Sequence, residues 1–373
     1  MRIGIDCRFW SQTGVGRYTR NLVENLAKID RANDYVLFVR SEDLSNVKSV
    51  VSTQMSVVKA DVPWHGIAEQ LRFPKILNSE NLDLVHFPYF SVPYFYKKPF
   101  VITVHDLIIN RFNTGRASTL PYPLYFAKRV GYKAVLASAL TRAKKIIVPS
   151  NSVRDDVLST YTKLPAEKVC VTYEGGFKSG LKPKARSKVL VDGRYLIRVG
   201  NFYPHKNVER LLFAFRDFVY DSYENRDMKL VLVGKKDFFY NKIAKLIANL
   251  NIGEHVVFFE NIKDEALLSL YQNAVAVIIP SFMEGFSLTA VEGMSCGVPV
   301  IASDIATHRE ICGTAAIYCN PGDLSDIKHK INFVCSFTPS TREEIIEQGK
   351  KQSEKYSWEK MAKETLSIYK EAV

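Results

Sequence analysis

Between two short apolar runs, Ala274–Ile279 and Val300–Ala302, the chain reads PSFMEGFSLTAVEGMSCGVPV over Pro280–Val300. The first run, apolar and rich in β-branched residues, reads as a buried parallel strand. Gly297 and Pro299 stop a helix and release the next strand. Ser287 is placed to cap a helix of about ten residues, with Leu288, Val291 and Met294 at core spacing. Strand, helix and strand in so short a space demand a layered α/β domain. Two carboxylates frame the helix: Glu284 in the loop before it, and Glu292 about two turns in.

A helix N-terminus leaves backbone N–H groups unpaired and carries partial positive charge. At the C-terminal end of a parallel strand it makes a site for phosphate or another anion. An acid in such a loop bonds hydroxyls beside the phosphates, and a second acid further along holds a ribose. The spacing alone admits a blander reading, in which Glu284 favours the helix dipole and Glu292 is a solvated helix residue.

At 373 residues the chain fits two domains of ordinary size, and its 47% hydrophobic content is enough for two cores. Met1-Arg2 runs directly into an apolar stretch with no signal-peptide pattern, and no run approaches the ~18 apolar residues of a membrane span. Cys7, Cys170, Cys296, Cys312, Cys319 and Cys335 are scattered, which points to reduced thiols in a cytoplasmic protein and to no metal site. Charge is uneven: residues 1–190 hold 29 Lys and Arg against 15 Asp and Glu, and residues 191–373 hold 22 against 24. Arg111–Lys145 has eight basic residues, among them Arg116, Lys128, Arg129 and Lys133, and no acidic one, interleaved with aromatics. Such a patch suits an anionic membrane surface or a pyrophosphate-bearing acceptor. No nucleic-acid motif accompanies it, so nucleic acid is not expected as a partner. A solvated helix face is the plain alternative.

Strands are expected at Arg2–Cys7, Tyr35–Val39, Asp83–Phe87, Phe100–Val104 and Lys144–Val148, with helices between most of them. From Phe177 to Gly193 the composition turns polar, basic and rich in Gly and Pro, as in a linker. A second series follows at Tyr195–Val199, Lys229–Val233, His255–Phe259, Ala274–Ile279 and Val300–Ala302. The expected division is 1–180, a linker at 181–193, a second domain at 194–355 and a terminal helix in 356–373. Gly14 and Gly16 open the first helix, where glycines admit a ligand close to the backbone or simply make a tight turn. Thr19 stands where a dinucleotide fingerprint needs its third glycine, which argues against NAD.

The spacing from Glu284 to Glu292, in its setting E-G-F-S-L-x-x-x-E-x-M-x-x-G-x-P-V, resembles the E-x7-E signature of retaining glycosyltransferases of family 4. The resemblance extends to Gly14-Val15-Gly16, His105-Asp106, Pro149-Ser150, Val199–Asn207 and Tyr356-Ser357-Trp358, and so covers nearly the whole chain. Its wording is most similar to bacterial mannosyltransferases of lipopolysaccharide and capsule assembly. It implies the GT-B fold, two Rossmann-like domains facing a cleft, with the last helix crossing back to the first domain.

The resemblance also implies roles. Glu284 would orient the donor sugar, Glu292 hold the ribose, and His105 stand beside the sugar with its carbonyl facing the anomeric carbon. Lys206 would meet the leaving diphosphate. Gly14 and Gly16 would close over the diphosphate, and the helix start at Gly285, Phe286, Ser287 and Leu288 would stabilise the charge that develops on it. Gly234 would line the nucleotide pocket and the backbone near Ile262 would meet the base. The family frequently has arginine directly after Gly200; here Asn201 stands there, with Arg198 two residues before the glycine as a substitute cation. Asp106 is given no catalytic part, and His308 is read as structural.

The expected activity is retaining, metal-independent and cofactor-free transfer of a hexose, mannose from GDP-mannose, to a hydroxyl of a lipid-linked or oligosaccharide acceptor at the inner face of the cell membrane. The alternatives are a UDP-sugar donor, a nucleotide-sugar epimerase, a phosphorylase, and a non-enzymatic basic adaptor for membranes or nucleic acid. A glycosidase pair is disfavoured, because eight helical residues rise about 12 Å against the ~5–9 Å that such carboxylates need.

Overall fold

The computed structural model describes residues 1–111, 122–177 and 190–373. The chain divides into two compact units. Among the described residues, the first holds 1–111, 122–174 and 357–373, and the second 175–177 and 190–356.

The first unit carries a sheet of strands β1 (Arg2–Asp6), β2 (Asp34–Val39), β3 (Met55–Lys59), β4 (Leu84–Phe87), β5 (Phe100–Thr103), β6 (Lys145–Val148) and β7 (Val169–Val171). All pairings are parallel, in the order β3-β2-β1-β4-β5-β6-β7. Central strands are buried on both faces, as parallel strands under helices must be. Phe38, Val85, Phe87, Phe100, Ile102 and Ile146 belong to a core that also takes in Phe73 and Leu77 of helix Ile67–Asn78 and Leu136 of helix Tyr122–Arg142. Helix Trp358–Ala372 packs in this unit beside helix Gly14–Ile29. Its Tyr369 hydroxyl lies 2.6 Å from Nδ1 of His86, whose Nε2 lies 2.8 Å from Oγ1 of Thr103. Burial, with a smaller contribution from His105, pushes His86 down to about 3, so this link is neutral.

The second unit has β8 (Tyr195–Val199), β9 (Lys229–Val233), β10 (Val256–Phe259), β11 (Ala276–Ile279), β12 (Val300–Ser303) and β13 (Ala316–Cys319), all parallel, in the order β10-β9-β8-β11-β12-β13. Leu211, Leu212 and Phe215 of helix Val208–Val219 and Ile327 of helix Leu324–Cys335 fill a core with Leu230, Leu232, Ile278 and Ile301. Both sheets reverse strand order once, at β1/β4 and at β8/β11. Such switch points are where doubly wound sheets bind ligands, beyond the carboxyl ends of the strands.

Sequence reading missed β3, β7 and β13, and each is the edge of its sheet. β3 and β7 are partly exposed and lack the unbroken apolar run of a central strand; β13 is an apolar run of only four residues, Ala316–Cys319. Ser287 also departs from its expected part. It has φ +77° and its side chain makes no cap bond, and the helix it precedes runs over eight residues, Leu288–Ser295.

Candidate active site

In the second unit, the loops beyond β8 and β11 meet at the switch point. Gly200 takes φ +121°, a conformation that favours glycine, and turns the chain out of β8 toward the short helix Pro204–Lys206. Asn207 then adopts the left-handed region and its buried amide donates to the carbonyls of Pro280 (2.9 Å) and Pro321 (2.8 Å). One side chain thereby ties the ends of three strands, β8, β11 and β13. On that base Nζ of Lys206 reaches Oε2 of Glu284 at 2.6 Å. Ser281 donates to Oε1 of the same carboxylate at 2.7 Å, and Thr307 donates to the Glu284 carbonyl at 2.9 Å. Burial opposes the charge of Glu284, but Lys206, His308 and the Ser281 hydroxyl outweigh it and hold the carboxyl at about 2. The side chain stays ionised while only 10% exposed.

Arg198 sits within β8, 3% exposed. Its guanidinium donates to the carbonyls of Gly200 and Asn201 and lies 5.4 Å from the Phe202 ring. Burial pulls it down to about 10, against the attraction of Glu284, so it remains a cation. Two of its N–H groups hold the loop, so in this structure it braces the segment leading to Lys206. A Cβ on Gly234 would come within 2.5 Å of the Gly200 carbonyl and 2.8 Å of the Phe202 ring, so this site has no room for a side chain. The Lys236 amide donates to Oε1 of Glu260 at 2.8 Å and ties the loop beyond β9 to the one carrying Ile262.

Gly285 follows Glu284, and Phe286 is buried with its ring set edge-on to Tyr356 at 5.5 Å. Leu288 begins the helix whose first turn lies at the same strand ends. Glu292 is 1% exposed and accepts from the Tyr271 hydroxyl at 3.0 Å. The carboxylate expected to hold a ribose is thus packed inside the unit here. His308 is fully buried and its Nδ1 pairs with the Ser303 carbonyl at 2.9 Å, a structural position beneath the site.

In the first unit, His105 follows β5. Its Nδ1 lies 3.1 Å from Oε1 of Glu174 and its Nε2 2.9 Å from the Pro88 carbonyl. Tyr18 packs edge-on at 4.9 Å. A Cβ on Gly16 would meet the carbonyls of Trp10 and Phe9 at 2.5 and 2.7 Å, whereas one on Gly14 meets nothing within 4 Å. Gly16 is therefore a packing requirement, and Gly14 borders open space. Lys128 and Lys133 are exposed, while Arg129 is half-buried and donates to the Asn110 carbonyl at 3.1 Å. Arg116 lies outside the described residues.

Sequence reasoning overlooked Ser281, Thr307, Asn207 and Glu174, which orient the residues it named. Asn207 carried the best signal, standing directly after Lys206 and before a helix. Glu174 carried little beyond being an acid in a basic half.

Two parallel-sheet Rossmann-like domains of this kind make the GT-B fold. Residues 12–175 match the family model described as Glycosyltransferase Family 4, and residues 182–352 that of Glycosyl transferases group 1. The chain belongs to family 4 of the glycosyltransferases. It is 26% identical over 382 residues to O-antigen chain mannosyltransferase B of Escherichia coli, covering 96% of each chain. It is also 26% identical over 260 residues to O-antigen chain mannosyltransferase RfbU of Salmonella typhimurium, covering 70% of this chain and 67% of that one. Anabaena HepE, solved in complex with UDP and glucose, shares the fold at a TM-score of 0.75, with 16% identity and 99% of each chain covered.

Proposed function

We propose that the protein transfers mannose from GDP-mannose, with retention, to a hydroxyl of a lipid-linked or oligosaccharide acceptor in surface polysaccharide assembly. The observation that carries the transfer chemistry is the ion pair of Lys206 and Glu284 beside a helix start at the β8/β11 switch point. The two O-antigen relatives favour mannose. The anomeric carbon's bond to the β-phosphate oxygen breaks, and a bond to the acceptor oxygen forms on the same face. The acceptor's proton passes to the departing phosphate, so no separate base is required.

Lys206 faces the oxygens on which charge grows. Glu284, held ionised by Lys206 and Ser281, accepts hydrogen bonds from sugar hydroxyls and so fixes the ring. The loops of Gly234 and Ile262 present backbone to the nucleoside. Among the described residues no cluster of three His, Cys, Asp or Glu side chains would hold a metal, and the reaction as written uses neither a metal nor a cofactor. No helix among the described residues is long and apolar enough to cross a membrane. The exposed Lys128 and Lys133, in a stretch without acids, suit peripheral attachment to anionic lipid at the cytoplasmic face.

The test is release of GDP from GDP-mannose by purified protein, with an extract of lipid-linked oligosaccharides as acceptor. Product with an α-linked mannose supports the proposal. Turnover of UDP-glucose alone would overturn the donor, and conversion of the sugar nucleotide without acceptor would point to an epimerase.

A further inference from the structure

A neutral imidazole has one N–H and one lone pair. His105 sets both ring nitrogens against acceptors, the Glu174 carboxylate at 3.1 Å and the Pro88 carbonyl at 2.9 Å. In either neutral tautomer, a lone pair would face one of these oxygens at hydrogen-bonding distance. Glu174 is 4% exposed and the His105 side chain 14%, so water does little to relieve that contact. Facing an ionised Glu174, only the doubly protonated ring satisfies both partners. We propose that His105 works as a standing imidazolium, and that Glu174 is the positioning residue that charges and orients it.

The surrounding charges fit. Asp106 adds negative potential from the next residue. On β4, His86 would repel a second cation, and it is kept neutral by burial and by His105 itself. Tyr18 turns its ring edge to the imidazole and its hydroxyl to Oγ1 of Thr103 (3.1 Å), so it takes no proton from the histidine. Burial alone would lower the imidazole's pKa; the bond to Glu174 and its charge outweigh that and raise it.

Two consequences follow for the transfer reaction, and both rest on the proposed function. His105 has no lone pair to offer and does not take the acceptor's proton, which suits a proton path to the leaving phosphate. Its Nε2–H also anchors the loop beyond β4, so Glu174 fixes two strand-end loops at once.

The test is the titration of His105 by NMR in the intact protein with isotope-labelled histidine, its signal assigned with His105→Asn. The ring should titrate above the ordinary histidine value near 6.5. Glu174→Gln should lower the midpoint by about one pH unit or more. The variant's donor turnover should then fall away at correspondingly lower pH, and Glu174→Asp should recover part of the shift. A wild-type midpoint at or below about 6.5, or one indifferent to Glu174→Gln, would overturn the inference. The wild-type titration decides even where the variant is unstable. It is run without donor, so a wrong donor assignment leaves it standing.

Discussion

Nζ of Lys206 lies 2.6 Å from Oε2 of Glu284, across 78 residues of sequence and between the loops of two adjacent strands. With side chains 20% and 10% exposed, the two charges are largely withdrawn from water, and each is the other's main compensation. Ser281 and Thr307 hold the acid's end of the pair, and Asn207 holds the loop of the base. The ammonium is therefore in place before a phosphate arrives, which is how charge stabilisation avoids reorganisation during the reaction.

Lys206→Met removes the cation and leaves a buried carboxylate without its partner. We expect donor turnover to fall by about 10²–10³-fold, the range for losing one preorganised donor. Glu284→Gln keeps an acceptor for Ser281 but loses the charge, with a comparable fall. The double variant should lose less than the product of the two, because the residues act as a pair. Steady-state kinetics of the four proteins checks this.

Acid should weaken the second unit through Glu284. Its folded carboxyl titrates at about 2 against an ordinary 4.5. The stability this provides is complete above about pH 4.5 and is lost as pH falls toward 2, up to about 3 kcal/mol. Urea unfolding at pH 6 and pH 3, followed by a probe in the second unit, should show a smaller difference in Lys206→Met.

Gly234→Ala and Gly14→Ala should behave oppositely. The first drives a methyl into the Gly200 carbonyl at 2.5 Å and should cost about 2 kcal/mol or more, with donor binding lost as the loop shifts. The second enters open space, so Tm should hold within about 1–2 °C. A fall in turnover for Gly14→Ala at unchanged Tm would place that loop against a ligand.

Tyr369→Phe deletes one hydroxyl and leaves Nδ1 of His86 buried without its partner. The cost should be about 1–3 kcal/mol, read as a fall in the Tm of the first unit. Hydrogen exchange of helix Trp358–Ala372 should accelerate with it.

Much of this site was legible because the chemistry sits next to the strands that announce themselves. β8 and β11 are central and apolar, so Lys206 and Glu284 could be placed at strand ends from sequence alone. What stayed hidden depends on approach between distant segments. Nothing in the local sequence pairs Glu174 with His105, 69 residues apart, or Tyr369 with His86, 283 apart. Ser287 misled because the serine-before-helix signal does not report backbone conformation, and here the residue is left-handed. Arg198 was legible as a cation, but not as one whose donors turn back on its own loop.

The central claim, that Lys206 and Glu284 form the donor site, is tested most directly by nucleotide stabilisation of the intact protein. Tm would be measured against GDP, UDP, ADP and their sugar nucleotides for the wild type and Lys206→Met. A ligand at 100 times its Kd adds about 2.7 kcal/mol to the folded state. The account predicts a GDP-selective rise in the wild type that largely disappears in Lys206→Met at equal ligand concentration. An equal rise in both proteins, or none with any nucleotide, would contradict it.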